Sequence, residues 1–197
     1  MEMDEIGLAE SLAVAGLDYV GLADADVAYV PPTLASFGGI GDTLVVAVKV
    51  GPDEPQRVEK LNAAWLQMCL DSEFFDDDRR FLLGVKIEDD EDTEQAATFW
   101  WAKVALMESW DLAGAGAASL LGHGFGLPSF VMLSLDGNLV LRASREQDDS
   151  SGLSLMRDLH LVPELRSHGE WMAGRHLYPE FTRAAVRRWL DAHQVTS

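Results

Sequence analysis

Apolar positions along this chain follow two rhythms. Residues 130–135 run Phe130, Val131, Met132, Leu133, Ser134, Leu135, nearly continuous apolar, the pattern of a strand covered on both faces. Asp136-Gly137 then supplies the positive-φ positions of a two-residue turn, and Leu139-Val140-Leu141 restarts the strand, so residues 126–142 predict a β-hairpin. Pro128 lacks an N–H donor and belongs at the start of the first strand. Residues 43–50, TLVVAVKV, predict a strand continuous enough to be central, and residues 81–87, FLLGVKI, another buried strand.

Elsewhere the spacing is three and four. Val58, Leu61, Trp65 and Met68 predict a helix to about Asp71, opened after Gly51-Pro52 by Asp53 and Gln56 in capping-box spacing. Asp92 and Gln95 repeat that spacing and predict a helix to about Trp110, apolar on more than one side through Ala97, Phe99, Trp100, Trp101, Val104, Leu106 and Trp110. Such surplus apolar surface marks either burial on two sides or an exposed contact patch. Ile6, Leu8, Ala9, Leu12 and Ala13 predict a short helix ending at Gly16, and the acidic-apolar alternation before Pro31-Pro32 predicts a short edge-like strand within residues 19–30. Residues 112–126, rich in Gly and Ala, read as a loop or loose helix, and the polar residues 145–155 as a loop. Residues 162–174 predict a helix with Pro163 near its start and Gly174 past its end. Pro179 opens a last helix whose core face is Phe181, Ala185, Trp189 and Leu190.

With 197 residues and 48% hydrophobic content, one substantial core and a single domain over residues 1–197 are expected. The formal charge of −18 is unevenly placed: from Arg142 onward acids and bases cancel, so the first 141 residues carry seven basic and 25 acidic groups. That excess repels phosphate backbones and anionic lipid surfaces, which argues against nucleic-acid and membrane binding and favours a basic protein partner. Solubility or adaptation to salt explains the same charge equally well. The N-terminus is acidic where a secretory signal would be basic, and no run of apolar residues is long enough to span a bilayer, so a cytoplasmic protein is expected. Cys69 is the only cysteine and sits one helical turn after Trp65, the setting of a buried structural thiol.

Several motifs invite chemistry without completing it. Residues 36–42, SFGGIGD, lack the Gly-Lys-Ser/Thr ending of a phosphate loop and read as a flexible loop. Residues 88–94, EDDEDTE, lack the spacing and central glycine of a calcium loop and read as a solvated acidic loop. His168 with Glu170, and His176 with Glu180, could offer ligands to zinc, but neither pair has the spacing that puts two imidazoles on one helical face. There is no Gly-x-Ser-x-Gly elbow, and Ser134 lies inside a strand. No metal or cofactor is expected.

The order strand, helix, strand, helix, hairpin, helix predicts an α/β protein. Gly126-Leu127-Pro128 with Asp136-Gly137, together with residues 81–92 as a core strand and acidic turn, resembles the TlpA-type thioredoxin-like family over roughly residues 43–144 and the last helix. The resemblance implies a mixed sheet with helices on both faces in the order β-α-β-α-β-β-α. Its core would be residues 43–144 and 179–193, with an N-terminal extension and an insertion over residues 145–178. It further implies a cis Pro128 facing the functional edge, near His123. The family's Cys-x-x-Cys position falls at residues 50–55, which hold no cysteine, so thiol-disulfide exchange does not carry over.

Three functions are weighed. One is a non-catalytic acidic protein-binding protein of the immunity, antagonist, chaperone or adaptor type acting on a basic partner. Another is an enzyme on a thioredoxin-like scaffold with a non-standard site at Cys69 or the histidine segment. The third is a structural or assembly protein that forms a defined oligomer. Candidate binding residues are Trp100, Trp101, Trp110, Asp89, Asp90, Glu91, His123 and Pro128. The oligomeric state is left open.

Overall fold

The computed structural model describes residues 5–37, 44–87 and 98–194. Seven strands form one sheet: β1 (Leu17–Leu22), β2 (Leu44–Val50), β3 (Arg80–Ile87), β4 (Thr98–Leu106), β5 (Phe130–Leu133), β6 (Leu139–Arg145) and β7 (Ser151–Arg157). Their spatial order is β1-β4-β3-β5-β6-β7-β2, and every neighbouring pair is antiparallel. The helices are α1 (Glu5–Val14), the short α2 (Pro32–Ala35), α3 (Arg57–Asp71), α4 (Pro163–Ala173) and α5 (Glu180–Ala192).

The sheet separates two apolar clusters because neighbouring residues of a strand point to opposite faces. Phe81, Leu83 and Val85 of β3 join Ala102 and Val104 of β4 with Leu8 and Leu12 of α1 and Leu61, Trp65 and Met68 of α3. Leu82, between them in sequence, joins Val131, Leu133 and Val140 with Leu34 of α2, Leu165 and Met172 of α4, and Val186 and Trp189 of α5. Among the described residues, no helix is long and apolar enough to cross a membrane.

This architecture overturns the expected fold class. A mixed thioredoxin-like sheet with helices on both faces in β-α-β-α-β-β-α order requires β2 and β3 to be parallel neighbours. Instead β5, β6 and β7 lie between them, and α3 runs from one edge strand to the middle of the sheet. β2, expected to be central, is an edge strand. The segment read as an insertion supplies β7, which pairs with β6 on one side and β2 on the other. Ser151 sits buried in the sheet with its hydroxyl satisfied internally: it donates to the Gly126 carbonyl at 3.0 Å and accepts from Arg57 at 2.7 Å.

The helix expected to reach Trp110 is also absent over the residues described: residues 98–106 form β4, paired along its length with β3 and over five positions with β1. Aromatic and β-branched residues fit a pleated surface, and the apolar residues on more than one side belong to the two faces of a strand. The capping box expected at Asp53 and Gln56 does not form either, since Gln56 precedes α3 in a left-handed conformation without a side-chain cap. The hairpin is present, with Gly137 at φ +79, but Leu133 pairs with Val140, so its loop is longer than two residues. The Asp92–Gln95 capping box, the phosphate-loop comparison at residues 38–42 and the acidic residues 88–94 lie outside the described residues.

Candidate functional site

The clearest concave site lies where three elements meet: the connection from β1 to α2, the first residues of β4 and the first turns of α5. Trp101 organises it. Its ring is 7% exposed and its Nε1 donates to the Val30 carbonyl at 2.7 Å, tying the β1–α2 connection to the sheet. The Ala23 amide donates to the Trp101 carbonyl at 2.8 Å and carries the β1–β4 pairing into that connection. Pro31 and Pro32 then fix the chain direction into α2.

Trp100 forms the next wall. Its ring stacks on Phe181 of α5 with centroids 3.7 Å apart and planes 28° apart. Arg188, two turns further along α5, donates to the Ala25 carbonyl and closes the far side. Tyr29 donates its hydroxyl to the Leu135 carbonyl at 2.9 Å, and burial, with Asp136 and Asp24 nearby, raises its pKa. The resulting cavity holds about 50 Å³ and is lined chiefly by Tyr29, Pro32, Trp100, Trp101, Phe181 and Ala185. Asp24 and Arg188 are the charged residues in its wall, and Phe99, 36% exposed, extends its aromatic surface. Thr33 Oγ1, also in the wall, is buried without a hydrogen-bond partner.

Of the candidate residues read from the sequence, Trp100 and Trp101 come together here. Trp110 does not: its ring packs on Trp65, centroids 5.1 Å apart, against the α3 cluster. His123 and Pro128 lie in the connection between β4 and β5, outside the cleft, where the His123 amide donates to the Leu127 carbonyl and Gly122 bridges to Pro128. The cis geometry implied for Pro128 is corrected, since its peptide bond is trans. Asp89, Asp90 and Glu91 lie outside the described residues.

Phe181 has the spacing of a core residue and Tyr29 that of a strand, and neither carries a signal that places it against a tryptophan far away in sequence. The doublet Trp100-Trp101 was the one legible clue.

The other candidate chemistry resolves into packing. Cys69 is fully buried, and burial pushes its thiol pKa up. His168 lies between rings, stacked on Phe37 at 4.1 Å and on Trp171 at 5.4 Å, while Glu180 pairs with Arg183 and Arg187. A pair the sequence did not suggest is His160 and His193, ring centroids 5.1 Å apart. Burial, then the His193 charge, lowers the pKa of His160. Among the described residues, no group of three or more His, Cys, Asp or Glu is placed to hold a metal ion.

A scan against protein-family models, a search of curated proteins and a search of solved structures each return no match. The site therefore stands on its own geometry: an aromatic, mostly apolar recess with two charged groups in its wall.

Proposed function

We propose that this is a non-catalytic binding protein whose aromatic cleft receives a side chain from a basic protein partner. The observation that carries the reading is the aromatic surface of the exposed Phe99 and the half-buried Trp100 and Phe181, with Phe99 and Trp100 in the part of the chain that holds the entire excess of negative charge. Aromatic faces in a recess favour both apolar anchors and the cationic heads of Arg and Lys. Of the arginines of α5, Arg183 and Arg187 share Glu180, and Arg188 donates to the Ala25 carbonyl. Asp24 and Asp26, exposed on the β1–α2 connection, are open to a cation. A cytoplasmic location belongs to the same proposal, supported by a chain that holds one buried cysteine and no disulfide.

The test is a pull-down from host lysate with the wild-type protein and a Phe99→Ser/Phe181→Ala variant, washed at low and at high salt. The expected result is a basic protein kept by the wild type at low salt, released at high salt, and lost from the variant even at low salt. Retention by both proteins alike, or no partner at low salt, overturns the reading.

A further inference from the structure

The C-terminal end of α5 is fastened by basic groups from three elements. The single helical turn Leu159–Leu161 carries His160, α4 carries Arg166, and His193 stands directly after α5. Buried Leu159 anchors the turn in the cluster that also holds Trp189, and the Asp158 amide ahead of it donates to the Asn138 carbonyl at 3.3 Å. His160 is thereby fixed to the body of the protein. Arg166 donates to the His193 carbonyl at 2.7 Å, and the His193 ring turns back on its own helix, with Nδ1 2.9 Å from the Trp189 carbonyl. A carbonyl only accepts, so Nδ1 carries the hydrogen and Nε2 is the nitrogen left to take up a proton. The centroid of the His193 ring lies 5.8 Å from that of Trp189 and 5.1 Å from that of His160.

An imidazole is mostly uncharged above about pH 7 and takes up a proton as pH falls. The charges that bear on His160 are His193 after α5, Asp158 ahead of the turn and Arg166 of α4, two bases against one acid. Glu164 of α4 and Asp191 of α5 are exposed, where solvent and salt screen them. A first proton on the pair finds Asp158 as its counter-charge. A second finds a like charge one ring away, with the guanidinium beyond it, so the pair fills in two coupled steps.

We propose that His160, His193 and Arg166 form a pH-sensitive clasp, which holds the last turn of α5 on the turn Leu159–Leu161 at neutral pH and opens in acid through repulsion between the two rings. What opens is residues 190–193, since Trp189 is 3% exposed and stays anchored in its cluster. The direction follows from linkage. Burial, then the His193 charge, holds His160 below its usual value, so the folded state binds fewer protons than the unfolded chain, and stability is lost as pH falls from about 6.5 through the folded value. Acid also reduces the net charge of −18 and relieves self-repulsion throughout the molecule, an opposite and diffuse effect, so the clasp is read locally and against variants. None of its residues lines the aromatic cleft, and the outcome is independent of the proposed binding role.

The experiment is amide hydrogen exchange of residues 190–193 in the full chain at about pH 7.5 and about pH 5, on either side of the imidazole range, together with NMR titration of the histidine ring protons. Each exchange rate is corrected for the intrinsic effect of pH. In the wild type the His193 amide, which donates to the Trp189 carbonyl at 3.2 Å, is expected to lose about fivefold or more of its protection in acid. His160→Gln keeps a polar side chain that takes up no proton, and should retain that protection. His193→Gln should move the His160 titration up toward its usual value, which a merely structural role for His193 would not do; this arm also serves should His160→Gln fold poorly. Unchanged protection of the wild type in acid overturns the clasp. So does an equal loss in His160→Gln, or a His160 titration indifferent to His193→Gln.

Discussion

Asp111 illustrates how single side chains hold the irregular parts of this molecule. Its carboxylate accepts from the Gly114 and Ala115 amides at 2.8 and 2.9 Å and from Asn62 Nδ2 at 2.7 Å, while Asn62 Oδ1 accepts from the Ala113 amide at 2.9 Å. One acid thus caps the turn at residues 112–116 and ties it to α3. Burial raises its pKa, but hydrogen bonds from the Ala115 amide, Asn62 and the Gly114 amide outweigh it and hold the carboxyl below its usual range. Asp111→Ala is expected to destabilise the protein by about 1–2 kcal/mol at neutral pH, read by chemical denaturation. Because the folded-state pKa is depressed, this stability is present above the unfolded value of about 4 and is lost as pH falls through the folded value. The gap between wild type and variant should therefore narrow in acid; a gap that stays constant would contradict the assignment. The Asp111 network was not legible in the sequence, since neither Asn62 nor the Gly-Ala run names its partner.

At the scale of elements, β3 and α2 approach unusually closely. A Cβ on Gly84 would lie 2.6 Å from Val131 Cγ1 and 3.3 Å from Pro32 Cβ, so the glycine is what lets the chain after the cleft connection settle on the sheet. Gly84→Ala is expected to cost about 1–3 kcal/mol through overpacking, seen as a lower melting temperature, and to disturb the fluorescence of Trp101 beside α2. A thermal shift within error would show that Val131 and Pro32 can give way. Element type was legible where periodicity was unambiguous. α3 buries Leu61, Trp65 and Met68 as their spacing requires, and α4 and α5 begin at Pro163 and just after Pro179. It was not legible at β4, where Trp100, Trp101, Val104 and Leu106 satisfy a two-sided helix as well as a strand. What decides is the partner: β3 on one side and β1 on the other supply backbone hydrogen bonds that a strand needs and a helix does not.

Charge acts at the scale of the whole molecule. A net −18 on 197 residues repels itself in the compact state, so adding salt should raise the melting temperature, recorded by thermal melts across a sodium chloride series. A melting temperature independent of salt would mean that ion pairs such as Lys49–Asp148 and Arg80–Asp76 already offset the repulsion. The same screening weakens the proposed complex with a basic partner. Which stretches are apolar on one face or two, where prolines open helices, where the hairpin turns, and that the excess negative charge belongs to the first 141 residues can all be read from the order of amino acids. These are local properties, set by neighbours a few residues apart. Strand order, the edge position of β2 and the meeting of Tyr29, Trp100, Trp101 and Phe181 in one cleft emerge with the packed sheet. Those depend on pairings between segments far apart in the chain, and each strand edge offers the same backbone groups to every other strand, so local sequence cannot distinguish among them.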